Sequence, residues 1–186
     1  MIGVLVSGTG TNLQALIDED LPIGAVASNR AGAPALERAR AAGIPIAVFE
    51  LEDYSSREER DLAMAAWLDD AGVEVAVCAG YMHLLTPAFL ERFRAINVHP
   101  SLLPAFPGVD AVRQALAAGV SQTGVTVHFL DAGVDSGPVI LQEAVDVHPG
   151  DTAETLYERI RTVEHRLLPQ AVRLYLAGTV RSSPSW

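Results

Sequence analysis

The chain has 186 residues, of which 49% are hydrophobic and 19% charged, and its formal net charge is −10. That is enough apolar material for one full core and too little charge for disorder, while the negative balance argues against gripping DNA or RNA through phosphates. The lone Cys78 excludes an internal disulfide and suits a reducing, cytoplasmic setting; no basic segment with a following apolar stretch marks a leader, and no apolar run approaches the ~20 residues that span a bilayer.

Short apolar runs alternate with longer amphipathic ones. Strands are predicted at Ile2–Val6, Ile23–Ser28, Ile46–Phe49, Val73–Ala79, Ala95–Val98, Gly124–Leu130 and Val139–Val147. Helices are predicted at Asn12–Asp18, Ala33–Ala42, Ser55–Ala71, Pro87–Arg92, Val109–Ala118 and Thr152–Ala177. Strand–helix alternation over the first hundred residues predicts right-handed crossovers and a parallel sheet with helices on both faces. The early strands are apolar throughout, as burial on two sides requires. The last two strands lack a helix between them, so they should pair antiparallel and make the sheet mixed.

Asp151 and Glu154 have the spacing of a capping box for the last helix, Leu156, Ile160, Val163 and Leu167 follow at helical spacing, and Gly178 is placed to stop it. Ser182–Ser185 reads as a frayed tail. No repeat, low-complexity segment or linker divides the chain, so 1–186 is read as one α/β domain. Residues 1–100 form its nucleotide- or phosphate-binding half, 101–180 its catalytic half and 181–186 the tail.

Ser7-Gly8-Thr9-Gly10-Thr11-Asn12-Leu13 joins the first strand to the first helix. Glycines there let a ligand approach the backbone, and a helix start offers unpaired N–H groups to an anion such as phosphate. The same residues also describe a tight turn capped by Thr11 or Asn12. A dinucleotide fingerprint would need glycine where Leu13 stands and an acidic residue near Ser28-Asn29-Arg30, and no Gly-Lys-Ser/Thr follows for a P-loop.

Asn97 and His99 stand two apart at the end of a strand, on one face, where open α/β sheets bind ligands. Each alone also fits a packed, hydrogen-bonded core residue. Pro100, Pro104 and Pro107 stiffen the loop that follows. Asp135, between Gly133 and Gly137, is either a turn former or a carboxylate that hydrogen-bonds His99 and favours its charged form. An amide, an imidazole and a carboxylate can together hold an oxyanion, move a proton and orient the proton carrier. The five histidines, His83, His99, His128, His148 and His165, lack metal-ligand spacing, and no G-x-S-x-G elbow marks a serine hydrolase.

Asn97-Val98-His99-Pro100-Ser101-Leu102-Leu103-Pro104, with Asp135-Ser136-Gly137-Pro138 downstream, resembles the folate-dependent formyltransferase family. The glycine loop, Ala79-Gly80-Tyr81-Met82 and Glu164-His165 resemble the branch that formylates a ribonucleotide amine in purine biosynthesis. The resemblance covers essentially the whole chain. It implies a three-layer Rossmann-like fold with a mixed, mostly parallel sheet, and transfer of the formyl group of 10-formyltetrahydrofolate to glycinamide ribonucleotide. Asn97, His99 and Asp135 would be catalytic. Gly10, Thr11, Asn12, Arg161 and Glu164 would bind the ribonucleotide, with Tyr157, Arg161 and Glu164 sharing a face opposite the apolar stripe. Arg57, Met82, His83, Leu84, Leu85, Asn97, Asp131, Ala132, Gly133, Val134 and Asp135 would bind the folate. Arg161 also fits a solvated salt bridge with Glu158 or a neighbour on the histidine side, and Arg57 an exposed first-turn residue.

Two positions depart from the family pattern: His83 stands where many relatives carry arginine, and Ala105-Phe106 replaces a basic-then-Tyr pair. The resemblance implies small-molecule substrates, a cytoplasmic setting, and neither metal, nucleic acid nor membrane; it leaves the oligomeric state open. Two rivals share the catalytic trio: a formyltetrahydrofolate hydrolase, whose regulatory domain precedes the catalytic one and which needs no phosphate loop, and a binding protein without catalysis. A formyltransferase acting on tRNA would carry a second domain and suits the charge of −10 poorly.

Overall fold

Seven strands and six helices follow the predicted order in the computed structural model, which describes residues 1–180. The strands are β1 (Ile2–Val6), β2 (Ile23–Ser28), β3 (Ile46–Val48), β4 (Val75–Cys78), β5 (Arg94–His99), β6 (Gln122–Phe129) and β7 (Val139–Asp146). The helices are α1 (Thr11–Asp18), α2 (Ala35–Ala41), α3 (Arg57–Asp70), α4 (Pro87–Arg92), α5 (Ala111–Ala118) and α6 (Ala153–Leu176). The short 3-10 turn Leu51–Asp53 has no counterpart among the predicted elements. The strands make a mixed sheet, as predicted. The predicted tail Ser182–Ser185 lies outside the described residues.

The chain divides into two units at Ile96/Asn97, within β5. In the first unit the strand order is β3-β2-β1-β4, and β1 pairs in parallel with both β2 and β4. Every residue of β1 and β4 is buried, which explains their unbroken apolar sequences. The outermost strand, β3, is only half-buried. Ser56 caps α3 by accepting the Glu59 N–H, and the Glu59 carboxylate accepts from the Ser55 N–H.

In the second unit β6 and β7 pair antiparallel, with a register shift at Val127/His128. β6 is buried almost throughout, whereas the outer strand β7 alternates. Helix α6 lies against both and buries Leu156, Ile160, Leu167, Leu168 and Val172. Burial of each such side chain stabilises the fold by about 1.5–3 kcal/mol. Val163, predicted to join that stripe, is only half-buried.

The capping box at α6 is displaced by one residue from the predicted one. Thr152 accepts from the Thr155 N–H, and the Thr155 hydroxyl accepts from the Thr152 N–H. The Asp151 carboxylate instead closes the preceding turn. It pairs with Arg159 at 3.0 Å and accepts from the His148 N–H, contacts that hold it well below the usual carboxylate range. Gly178 stops α6 as predicted, at φ +71°.

Candidate active site

In the first unit, the loop after β1 is pinned before it reaches α1. The Ser7 hydroxyl donates to the Asn29 side chain at 2.6 Å and accepts the Met82 N–H at 2.8 Å. Arg38 donates to the Thr9 carbonyl, and the Ala35 N–H to that of Gly8. Gly10 occupies the cap position of α1 at φ +73°, so neither Thr11 nor Asn12 is the cap. A Cβ on Gly10 would sit 2.5 Å from that of Ala35, so glycine is required by both conformation and the close approach of α2. The first N–H groups of α1 therefore follow a backbone that has little freedom to move.

Beyond β4, Met82, His83, Leu84 and Leu85 run on as a loop. Met82 is 76% exposed and Leu84 58%, which puts two large apolar side chains at the surface on either side of His83. Arg57 is exposed in the first turn of α3. Its charge is felt at His83, whose pKa lies below the usual imidazole range because of partial burial first, then the charges of Arg60 and Arg57, with Asp61 opposing.

In the second unit, β5 delivers Asn97 and His99 where it gives way to the proline loop, which contains a cis Leu103–Pro104 peptide. His99 is 4% exposed. Its Nε2 lies 2.8 Å from the Phe106 carbonyl and its Nδ1 3.3 Å from Asp135 Oδ2. A carbonyl and a carboxylate are both acceptors, so the ring faces an acceptor at each nitrogen. The predicted meeting of His99 with Asp135 is present.

The loop bearing Asp135 is closed by its own polar groups. Asp131 Oδ1 accepts from the Gly133 N–H at 3.0 Å and the Ser136 hydroxyl at 2.8 Å. Gly137 packs so closely on the Phe129 carbonyl that a Cβ would lie 1.9 Å from its oxygen. Asp135 sits at φ +52° and its Oδ2 accepts the Gly108 N–H at 2.7 Å. Partial burial pushes its carboxyl up; the contact with His128, the Gly108 N–H and the charge of His99 outweigh that and leave it below the usual carboxylate range.

His128 joins this cluster unforeseen. It is fully buried on β6, its Nδ1 donates to the Phe129 carbonyl at 2.9 Å, and its Nε2 lies 3.3 Å from Asn97 Nδ2 and 3.6 Å from Asp135 Oδ1. Its Nε2 thus faces both the Asn97 amide and the Asp135 carboxylate and links the two. The one available signal was a histidine interrupting an apolar strand two residues before the Asp131 loop.

On α6, Arg161 pairs with Glu158 at 3.0 Å, the solvated arrangement weighed from sequence. Glu164 departs from prediction: it is 3% exposed, one turn on from Ile160, and lies within the buried stripe. Tyr157 is 41% exposed; burial first, then Glu164, push its hydroxyl pKa up, with Arg161 opposing. Tyr157 also lines a cleft of about 270 Å³ with Pro100, Asp110, Arg113 and Glu154. Asn97, His99 and Asp135 thus come together, whereas Arg57, Gly10–Asn12 and Met82–Leu85 belong to the first unit. Among the described residues no helix is long and apolar enough to cross a membrane.

Comparisons with known proteins give the family of the chain. A family profile described as formyl transferase matches residues 1–172. The phosphoribosylglycinamide formyltransferase of Haemophilus influenzae is 41% identical over 97% of this chain and 89% of its own length. The human trifunctional purine biosynthetic protein adenosine-3 is 44% identical over 97% of this chain, which spans 19% of that protein. Glycinamide ribonucleotide transformylase 1 from Symbiobacterium toebii superimposes with a TM-score of 0.95 at 49% identity, covering 98% of this chain and 90% of that one. The chain therefore belongs to the formyl transferase family and, within it, groups with the phosphoribosylglycinamide formyltransferases.

Proposed function

We propose that this chain transfers the formyl group of 10-formyltetrahydrofolate to the amine of glycinamide ribonucleotide, giving formylglycinamide ribonucleotide and tetrahydrofolate, in the cytoplasm. The observation that carries the reading is the Asn97–His99–Asp135 cluster, found in a chain that groups with enzymes of that name. The neutral amine attacks the formyl carbon, a C–N bond forms, and the carbonyl oxygen takes the negative charge. The Asn97 amide N–H and the His99 imidazolium stabilise that oxyanion. His99 gives its proton to the leaving folate nitrogen as the bond from that nitrogen to carbon breaks, and the proton released by the attacking nitrogen restores the imidazolium. Asp135 orients the ring and favours its charged form, and His128 aims the Asn97 amide.

The backbone of Gly10, Thr11 and Asn12 receives the substrate phosphate; in the second unit Arg161 and the buried Glu164 are the residues assigned to the ribonucleotide, Glu164 to its ribose hydroxyls. Met82–Leu85 and residues 131–135 receive the pterin, and Arg57 meets the acidic tail of the folate. The decisive assay gives purified protein 10-formyltetrahydrofolate with and without the ribonucleotide. Turnover that needs the ribonucleotide supports the transferase. Turnover that ignores it overturns the reading in favour of a hydrolase, and no turnover in either case in favour of a binding protein.

A further inference from the structure

Helix α3 buries a charged pair that the reaction above does not use. Arg60 and Asp61 are both fully buried. Arg60 Nε and Nη2 donate to Asp61 Oδ1 at 2.9 and 2.5 Å, and Asp61 Oδ2 accepts the Thr86 N–H at 2.7 Å. That leaves Arg60 Nη1, and it lies 2.6 Å from Nδ1 of His83, a ring that is only half-buried. A guanidinium has donors and no acceptor. His83 Nδ1 must therefore offer its lone pair, which puts the ring proton on Nε2 and makes the ring neutral.

A buried arginine already paired with a carboxylate has thus placed its remaining arm on a surface ring between two exposed apolar side chains, Met82 and Leu84. Exposed apolar groups on either side of one fixed polar donor are the features of a ligand contact. We propose that Arg60 is a positioning residue for the folate co-substrate: it holds His83 as a neutral Nε2–H donor within the Met82–Leu85 segment, and an acceptor atom of the folate binds that N–H. The proposal rests on the formyl-transfer reading, which assigns the segment to the folate.

The groups facing the ring keep that state steady as pH changes. Arg57 and Arg60 carry permanent charge, and Asp61 opposes them. Tyr81, edge-on to His83 with ring centres 6.0 Å apart, has its hydroxyl pKa pushed up by burial. The Cys78 thiol is pushed up to about 12 by burial. Neither changes charge where a histidine titrates. Partial burial together with the two arginines lowers the pKa of His83 from the usual imidazole value.

The test combines nitrogen NMR with kinetics on the full chain. In the unaltered protein, the imidazole signal that disappears in His83→Phe should show a bare Nδ1 and a protonated Nε2. In Arg60→Gln that preference should be lost and the ring should titrate near its ordinary value of about 6.5. KM for 10-formyltetrahydrofolate should rise roughly 3- to 10-fold, the worth of one hydrogen bond, and should become pH-dependent around that value. KM for the ribonucleotide and kcat should stay unchanged.

If Arg60→Gln does not fold, His83→Phe, on a half-buried ring, reads the same rise in folate KM, and Arg60→Lys, which keeps a cation beside Asp61, should show a smaller rise. A protonated Nδ1 in the unaltered chain, or a folate KM that neither variant moves, overturns the proposal alone. An unaltered chain that transfers no formyl group overturns the functional reading instead.

Discussion

Asp61 and Asp135 are two carboxylates in polar clusters, and their neighbours differ in kind. Asp61 is fully buried, and its partners are a permanent cation and a backbone N–H. Nothing in that shell exchanges protons at ordinary pH. Asp135 is 12% exposed at its side chain and stands between two imidazoles, 3.3 Å from His99 and 3.6 Å from His128. It lies on a loop at positive φ, where the Gly108 N–H holds one oxygen. A carboxylate beside guanidinium gives fixed geometry. A carboxylate beside imidazole gives a charge that proton movement can answer. The first arrangement should govern stability and positioning, the second turnover.

The largest expected effect lies on the second side. His99→Ala removes an oxyanion donor and the proton carrier together, so kcat should fall by about 10³-fold or more, several kcal/mol of transition-state stabilisation. Turnover within tenfold of the parent would show that His99 has been given the wrong role. The counterpart in the first unit is Arg60→Met. It leaves the Asp61 carboxylate buried without its cation and should lower unfolding free energy by about 3–5 kcal/mol, read by urea denaturation. Its kcat should be nearly unchanged at saturating folate. If His99→Ala instead unfolds the protein and Arg60→Met abolishes the chemistry, the division between the two clusters is wrong.

Asp135→Asn sharpens the comparison. The amide keeps the size of the carboxylate but cannot favour a charged His99, so kcat should fall by roughly 10²-fold. KM for the ribonucleotide should hardly move. A loss confined to ribonucleotide affinity would make Asp135 a binding residue. The same change tests His128, because Asp135 Oδ1 faces its Nε2. His128→Phe should lower kcat by a smaller factor, near tenfold, since Asn97 would lose the acceptor that orients its amide. Equal losses in the two variants would mean that aiming the amide matters as much as charging His99.

The same contrast explains what could be read from the chain alone. Short apolar runs placed all seven strands within two residues of their ends, and the pattern was plainest in β1 and β4, where burial on both sides leaves little choice of residue. Asn97 and His99 were legible because two-residue spacing at a strand end puts side chains on one face, and Asp135 because two glycines bracket it. His128 was not legible: a buried histidine in a strand looks the same whether it packs or aims an amide, and only its distance to Asn97 decides. Arg60 and Asp61 fell inside the predicted helix Ser55–Ala71 without being singled out, since sequence does not reveal that neighbouring opposite charges go inward together. Glu164 was placed outside for the same reason. Periodicity fixes which positions share a face; partners decide whether a charge on that face can be buried.

The smallest predicted effect concerns acid stability, and it isolates the Asp135 cluster. Burial raises the Asp135 carboxyl, but His128, the Gly108 N–H and the charge of His99 lower it by more, so its folded value lies below the ordinary one. A carboxyl depressed in the folded state binds fewer protons there than in the unfolded chain. Its contribution to stability is therefore complete above the unfolded value of about 3.9 and is lost as pH falls through the folded value. Asp135→Asn removes this contribution, so the gap in unfolding free energy between parent and variant should narrow steadily below pH ~4. The measurement is a series of urea midpoints across that range. A gap that stays constant on acidification would mean that the Gly108 N–H and the loop, rather than the carboxylate charge, account for the contribution of Asp135. A gap that widens would reverse the sign, and burial would then outweigh the two histidines and the Gly108 N–H.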